Sequence, residues 1–268
     1  MIKQKVGNKD LNLPQQSHAV IILASGLSQR LGQPKQLLKK QSQPLLEVMT
    51  NIALATNPSA ILLVIASSQS EIIQLSQSLS AQHDVVVPVI NTQPEQGMAH
   101  SLSLAITELN RKVANGLTIR RVIILGIDQV LLDVSHLSNL LADFNTDKNT
   151  GKSNYAKSSG CKKVVASSYC SSHKILENQL SNIEGLITDP LNSNISDNGQ
   201  RIIGLPINID YPLLTQWQPL LNGDKGLRHL IRDLSSKDLS VVDNIKLSLD
   251  IDTPEQLHFA RKQGWLDP

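Results

Sequence analysis

Apolar residues in this chain come in short unbroken blocks, separated by longer stretches of mixed polarity. The first block, residues 19–24, reads Ala-Val-Ile-Ile-Leu-Ala without a polar interruption. A strand with one wet face would alternate, so an unbroken run predicts a strand buried on both faces. Blocks of the same kind recur at 60–66, 85–90, 121–126 and 164–168. Residues 44–54, 71–79 and 98–109 instead repeat their apolar positions every three or four residues, which predicts helices. Strands alternating with helices predict an α/β fold. It would be a Rossmann-like three-layer arrangement, with helices on both faces of a mostly parallel sheet.

Three stretches depart from this rhythm. Residues 1–17 are polar and predict a loose N-terminal tail. Residues 145–160 and, more weakly, 178–200 are polar, rich in Gly, Ser and Asn, and lack any period. They read as surface insertions in a single domain over 18–268, because strand-like segments resume after the first. No internal repeat is visible.

The 268 residues fit one large or two small domains. A net charge of +2 and an aromatic content of 3% give neither the basic stripe nor the stacking platform of a nucleic-acid binder. No apolar run reaches the roughly 18–20 residues of a membrane span, and the first residues do not form a signal sequence. Cys161 and Cys170 fit neither a disulfide framework nor a Cys-x-x-Cys metal site. A cytoplasmic location is expected.

The chemistry concentrates after the first block, in Leu23-Ala24-Ser25-Gly26-Leu27-Ser28-Gln29-Arg30-Leu31-Gly32-Gln33-Pro34-Lys35. Small residues and then cations follow the carboxyl end of a buried strand, where open α/β sheets bind ligands. Ser25, Gly26 and Ser28 allow backbone N–H groups to approach an anion, and Arg30 and Lys35 bring charge to phosphates. The spacing fits neither a Walker A loop nor a Gly-x-Gly-x-x-Gly turn nor a hydrolase elbow. Asp128 follows the fourth block and offers a hard oxygen to a cation such as Mg²⁺. Asp252 is a second candidate ligand, although Thr253-Pro254-Glu255 also reads as a helix start that an Asp would cap. Asp250 would point away from Asp252 if the strand persisted. Gly97 opens a predicted helix, His100 reads as a surface or capping residue, and the Gly223–Arg228 segment places basic residues at a helix start, where an anion is a motive.

These segments resemble one family. The loop is similar to the LA(A/G)GxSxRMGxxK signature of the MobA-like nucleotidyltransferases, with Leu31 in the Met place and Ser25 in the Ala/Gly place. Gln33-Pro34-Lys35-Gln36-Leu37-Leu38, Gln96-Gly97-Met98-Ala99-His100-Ser101-Leu102, Gly126-Ile127-Asp128-Gln129, Gly223-Asp224-Lys225-Gly226 and Asp250–Glu255 follow in family order and resemble the molybdenum cofactor cytidylyltransferase (MocA-type) branch. The resemblance implies the nucleotide-diphospho-sugar transferase fold. It implies transfer of CMP from CTP to the phosphate of a molybdopterin-type cofactor with Mg²⁺, pyrophosphate leaving and a molybdoenzyme receiving the product. It places Leu23, Ala24, Ser25, Gly26 and Gly97 along the nucleotide, and Arg30 and Lys35 on its phosphates. Asp128 joins Arg30 and Lys35 as catalytic, Asp128 and Asp252 hold the metal, and Ser101, Asp224 and Lys225 meet the acceptor. Ile127 and Val130 depart from the family's Gly-Asp-Gln-Pro, and Gly204-Leu205-Pro206-Ile207-Asn208-Ile209 lacks the aromatic of its Gly-x-Pro-x-x-Phe stretch. A GTP-using relative, a sugar-phosphate acceptor and a non-catalytic cofactor carrier are the alternatives.

Overall fold

The structure is a computed structural model that describes residues 17–142, 162–170, 201–223 and 226–268. The expected insertions at 145–160 and 178–200, the tail apart from Ser17, Cys161, Asp224 and Lys225 lie outside the described residues.

Seven strands form the main sheet: β1 (His18–Ala24), β4 (Ala60–Ala66), β5 (Val86–Asn91), β6 (Arg121–Gly126), β7 (Val164–Cys170), β8 (Arg201–Asp210) and β9 (Leu239–Asp243). A two-stranded ribbon, β2 (Lys39–Lys40) with β3 (Gln43–Pro44), stands apart from it. The order across the sheet is β5-β4-β1-β6-β8-β7-β9. Every pairing is parallel except the two made by β8. The helices are α1 (Leu45–Leu54), α2 (Ser70–Gln82), α3 (Gly97–Ala114), α4 (Val134–Ala142), α5 (Tyr211–Trp217), α6 (Arg228–Arg232) and α7 (Pro254–Lys262).

The unbroken apolar blocks are explained by what covers them. Successive residues of β1 point to opposite faces. Val20, Ile22 and Ala24 enter a core with Leu45 and Met49 of α1, Ile72 of α2, Leu137 of α4 and Leu257 of α7. Ala19 and Ile21 enter a second core with Leu102, Ile106 and Leu109 of α3 and Leu214 and Trp217 of α5. Both faces are dry, so a polar residue there needs a partner of its own, as His18 at the start of β1 has in Thr56 at 2.9 Å, and each fully buried Leu or Ile stabilises the fold by roughly 1.5–3 kcal/mol.

Five of the seven strands are those the apolar blocks predict. The others have different signatures. β8 runs antiparallel between β6 and β7, and its first half alternates in exposure instead of forming a block. β9 is an edge strand with no fully buried residue. The expected strand around Asp250 is reduced to one bridge between Gln129 and Asp250, after which the chain leaves the sheet.

The order also places the site. From β1 the chain moves outward to β4 and β5, then returns to β6 on the other side of β1. The helical connections diverge at that reversal, and a crevice opens past the carboxyl ends of β1 and β6.

Candidate active site

The loop leaving β1 is shaped by its own hydrogen bonds. Leu31 and Gly32 both donate backbone N–H to the Ser28 carbonyl, at 3.1 Å each, and the Lys35 N–H donates to Ser28 Oγ at 3.2 Å. Ser28 pays for this with a φ of +52°. The fully buried Gln36 donates its amide to the Ala24 carbonyl at 2.5 Å and to the Gly26 carbonyl at 3.0 Å. A second tie runs from Ser25 Oγ to Ser101 Oγ at 2.7 Å; Ser101 also accepts from Asn91 at 3.0 Å and donates to the Gly97 carbonyl at 3.2 Å. The loop is thereby fastened to the first turn of α3.

The charged centre joins three distant parts of the chain. The Lys35 ammonium donates to Asp252 and lies 3.5 Å from Asp128 Oδ2. Arg30 donates to the other Asp252 oxygen at 2.9 Å. The Lys35 side chain is 11% exposed and that of Arg30 74%, so the first is a fixture of the site and the second can swing. Backbone contacts set the two carboxylates side by side: the Ile251 N–H donates to the Asp128 carbonyl at 3.1 Å, next to the Gln129–Asp250 bridge. Gly126 makes room for this, because a Cβ there would sit 2.8 Å from Asp128 Oδ1.

The capping alternative for Asp252 is resolved by its neighbour. Thr253 caps α7, accepting from the Gln256 N–H, while Gln256 Oε1 accepts from the N–H of Asp252 at 2.7 Å and of Thr253 at 2.9 Å. The Asp252 carboxylate is left to Lys35 and Arg30. Burial pushes its pKa up, but the hydrogen bond and charge of Lys35, aided by Arg30, outweigh that and hold it below the ordinary 3.8.

The donor set fits a divalent cation that shares its shell with substrate. Asp128 and Asp252 both reach one ammonium, so a cation at that place would meet two carboxylates. Among the described residues no group of three or more His, Cys, Asp or Glu is built to hold a metal. Two carboxylates completed by waters and phosphates are the usual protein share for Mg²⁺.

Two cavities meet here. The larger, about 670 Å³, is bounded by Ser25 to Arg30, Lys35, Gly97, Met98 and Ser101, with Asp128 and Asp252 on its wall. The smaller, about 240 Å³, shares Leu23, Met98, Asp128 and Leu205 with it. Tyr169 and Arg228 lie on the smaller one. Burial pushes the Tyr169 hydroxyl up to about 12, with the Asp128 and Asp250 carboxylates adding to the shift, so it stays a neutral phenol.

Of the residues named from sequence, Leu23, Ser25, Gly26, Arg30, Lys35, Gly97, Asp128 and Asp252 line the larger cavity together. Ala24 does not: its side chain is buried in the core, and its carbonyl is held by Gln36. Ser101 lies on the larger cavity, away from the smaller one, with its hydroxyl engaged by Ser25, Asn91 and Gly97. The helix after Gly223 begins at Arg228 and has five residues, too short to present a helix-end anion site. Sequence reasoning passed over Gln36, Tyr169 and Gly126. Only Gln36 had a usable signal, as a polar residue just ahead of Leu37-Leu38 in a loop that must present its backbone.

A mostly parallel sheet with a small-residue loop, a largely buried lysine and paired carboxylates at its point of reversal makes a crevice suited to a phosphate-bearing ligand. The chain belongs to the MobA-like NTP transferase domain family, whose profile matches residues 20–239. It is similar in structure to a homologue of Mycobacterium tuberculosis Rv0371c from Mycobacterium sp. strain JC1, with 18% identity, a TM-score of 0.59, and coverage of 92% of this chain and 96% of that one. Rv0371c from M. tuberculosis H37Rv in complex with manganese follows at 15% identity and a TM-score of 0.57, covering 91% and 97%. CMP:2-keto-3-deoxy-manno-octonic acid synthetase complexed with CTP has 13% identity and a TM-score of 0.57, covering 92% and 98%. A search of curated proteins finds no match.

Proposed function

We propose that this enzyme is a Mg²⁺-dependent cytidylyltransferase of the MocA type, transferring CMP from CTP to the phosphate of a molybdopterin-type cofactor. An acceptor phosphate oxygen attacks the α-phosphorus of CTP, a new P–O bond forms, the bond to the β-phosphate breaks, and pyrophosphate leaves. The observation that carries the reading is the meeting of Lys35, Asp128 and Asp252 beside the loop after β1.

Phosphoryl-type transfer asks a protein mainly for positioning and neutralisation of charge. Leu23, Ser25, Gly26 and Gly97 line the nucleotide's side of the cavity. Arg30 reaches the outer phosphates from its exposed position. Lys35 exchanges its carboxylate partners for triphosphate oxygens when CTP enters, and stabilises the departing pyrophosphate. Asp128 and Asp252, released from the ammonium, would hold Mg²⁺. The bound ion supplies Lewis-acid neutralisation at the phosphoryl oxygens. Ser101 contributes by holding the loop to α3.

Leu23-Ala24-Ser25-Gly26 favours CTP, since GTP-using relatives tend towards Leu-Ala-Gly-Gly, and a structural neighbour is a CTP complex. The acceptor assignment rests on the motif series from Gln33 to Glu255. The reading also takes 18–268 as one catalytic domain that works in the cytoplasm and passes its product to a molybdoenzyme. Incubation with each NTP, Mg²⁺ and molybdopterin cofactor, following pyrophosphate and the nucleotide product, tests it. CTP is expected to be used in preference. Preferred use of GTP would overturn the nucleotide assignment, and the absence of product with every NTP would support a carrier instead.

A further inference from the structure

Gln36 follows Lys35 in a single 3₁₀ turn, Lys35–Leu37, but where Lys35 lines the larger cavity, Gln36 is fully buried. Its amide nitrogen carries two hydrogens, and both are spent on the loop after β1: one on the Ala24 carbonyl at 2.5 Å, the other on the Gly26 carbonyl at 3.0 Å. The reverse orientation would set an oxygen against two oxygens, so the hydrogen bonds fix which end of the amide meets the loop. The amide oxygen is buried and has no partner among the described residues. A buried acceptor without a donor lowers stability. An apolar side chain of the same length would avoid that loss, so stability alone does not account for a glutamine here.

What the two bonds achieve follows from the planarity of the peptide. In a trans peptide the C=O of one residue and the N–H of the next point in opposite directions. Drawing the Ala24 and Gly26 carbonyls towards Gln36 therefore aims the N–H groups of Ser25 and Leu27 away from it. Ser25, Gly26 and Leu27 line the larger cavity, so that direction is the cavity. Among the described residues neither N–H has an acceptor. Were either peptide unit to turn over, a carbonyl oxygen would face the cavity in place of a donor, and it would repel a phosphate or any other acceptor group of a ligand.

We propose that Gln36 is a positioning residue for nucleotide binding: it holds two peptide units of the loop in the orientation that presents the Ser25 and Leu27 N–H groups to the nucleotide, and it does not touch the nucleotide itself. The seat of Lys35 is secured separately, since its N–H donates to Ser28 Oγ at 3.2 Å and its carbonyl accepts from the Leu38 N–H at 3.1 Å. The donors at 25 and 27 belong to the backbone, so their direction is set by what holds the neighbouring carbonyls and not by the side chains at those positions. This inference rests on the nucleotidyl-transfer reading, because it takes the ligand of the larger cavity to be a nucleotide.

The test uses the full chain with CTP and Mg²⁺. Gln36→Met keeps the length of the side chain while removing both donors and the orphaned oxygen. Its melting temperature is expected to stay close to that of the wild type, while the CTP Kd, measured by calorimetry, rises about tenfold. In NMR spectra of the wild type the backbone amide signals of Ser25 and Leu27 should shift when CTP is added, and in Gln36→Met that response should be lost. Gln36→Asn, which draws the same amide back by one methylene, should show the same loss and decides if Gln36→Met does not fold. An unchanged CTP Kd in the folded variant, or wild-type Ser25 and Leu27 signals that ignore CTP, would overturn the proposal. Weaker CTP binding with both amide responses intact would mean a general loosening of the loop and would overturn it as well. Failure of CTP to bind the wild type would instead defeat the reading of the larger cavity, which the calorimetry detects on its own.

Discussion

Lys35 and Asp252 form an ion pair across 217 positions of sequence, between the loop that leaves β1 and the turn that enters α7. The pair holds the last segment of the chain against the first loop of the sheet. It also keeps a partly buried carboxylate ionised next to a second one, which is the arrangement a cation and a triphosphate would need.

Replacing Asp128 with Asn should lower turnover by roughly 10²–10³, the scale seen when one preorganised contributor to transition-state charge is removed. The side chain is about one-third exposed at the end of a strand, so the melting temperature should change little. Pyrophosphate release and thermal unfolding check both halves. Near-normal turnover would mean that Asp128 does not serve the metal.

Gly126→Ala tests the same carboxylate without touching it. The added Cβ would meet Asp128 Oδ1 at 2.8 Å and force it aside. Turnover is expected to fall while binding of the cytidine end of CTP stays close to normal. An alanine variant with unchanged turnover would show that the carboxylate position is not critical.

Lys35→Ala should raise the KM for CTP by roughly 10–100-fold, as loss of a charge-assisted contact implies, and leave the acceptor KM nearly unchanged. Steady-state kinetics with each substrate varied in turn separates the two. A shift confined to the acceptor would contradict the placement of Lys35 on the triphosphate.

Asp252 makes stability depend on acid. Its folded pKa lies below the ordinary 3.8, so its contribution is complete above that value and is lost as pH falls through the lower, folded value. The wild-type melting temperature should therefore drop more steeply than that of Asp252→Asn as the pH falls below the ordinary carboxylate value of 3.8. Parallel curves would mean that the pair with Lys35 is no stronger in the folded chain than in the unfolded one.

Ser101→Ala should destabilise the fold by about 1–3 kcal/mol, because Asn91, itself fully buried, loses its acceptor and Ser25 its partner. Urea unfolding measures this directly. A change near zero would show that water replaces the hydroxyl and that the loop does not rely on α3.

The central strands and the loop after β1 were legible in the amino-acid order because their physics is local. A strand covered on both faces holds few polar residues, His18 and Arg121 at the strand starts being the exceptions, so β1, β4 and β6 are visible as unbroken blocks. A phosphate-facing loop needs small residues followed by cations, and residues 25–35 supply them in order. β8 and β9 were not legible. An antiparallel strand with one half-exposed portion and a partly covered edge strand both lack a continuous block; pairing with β6 and β7 defines the first and pairing with β7 the second. The role of Asp252 was ambiguous for a related reason. Its flanking Thr-Pro-Glu predicts a helix start equally well whether Asp252 or Thr253 caps it, and the family match ends at 239, before either. The tertiary structure decided in favour of Thr253, because the Asp128–Ile251 hydrogen bond brings the Asp252 carboxylate up against Lys35. The contact of Tyr169 with Gly204 carries no sequence signal, since a close contact between two strands depends on their register, which the order of residues along either strand does not express.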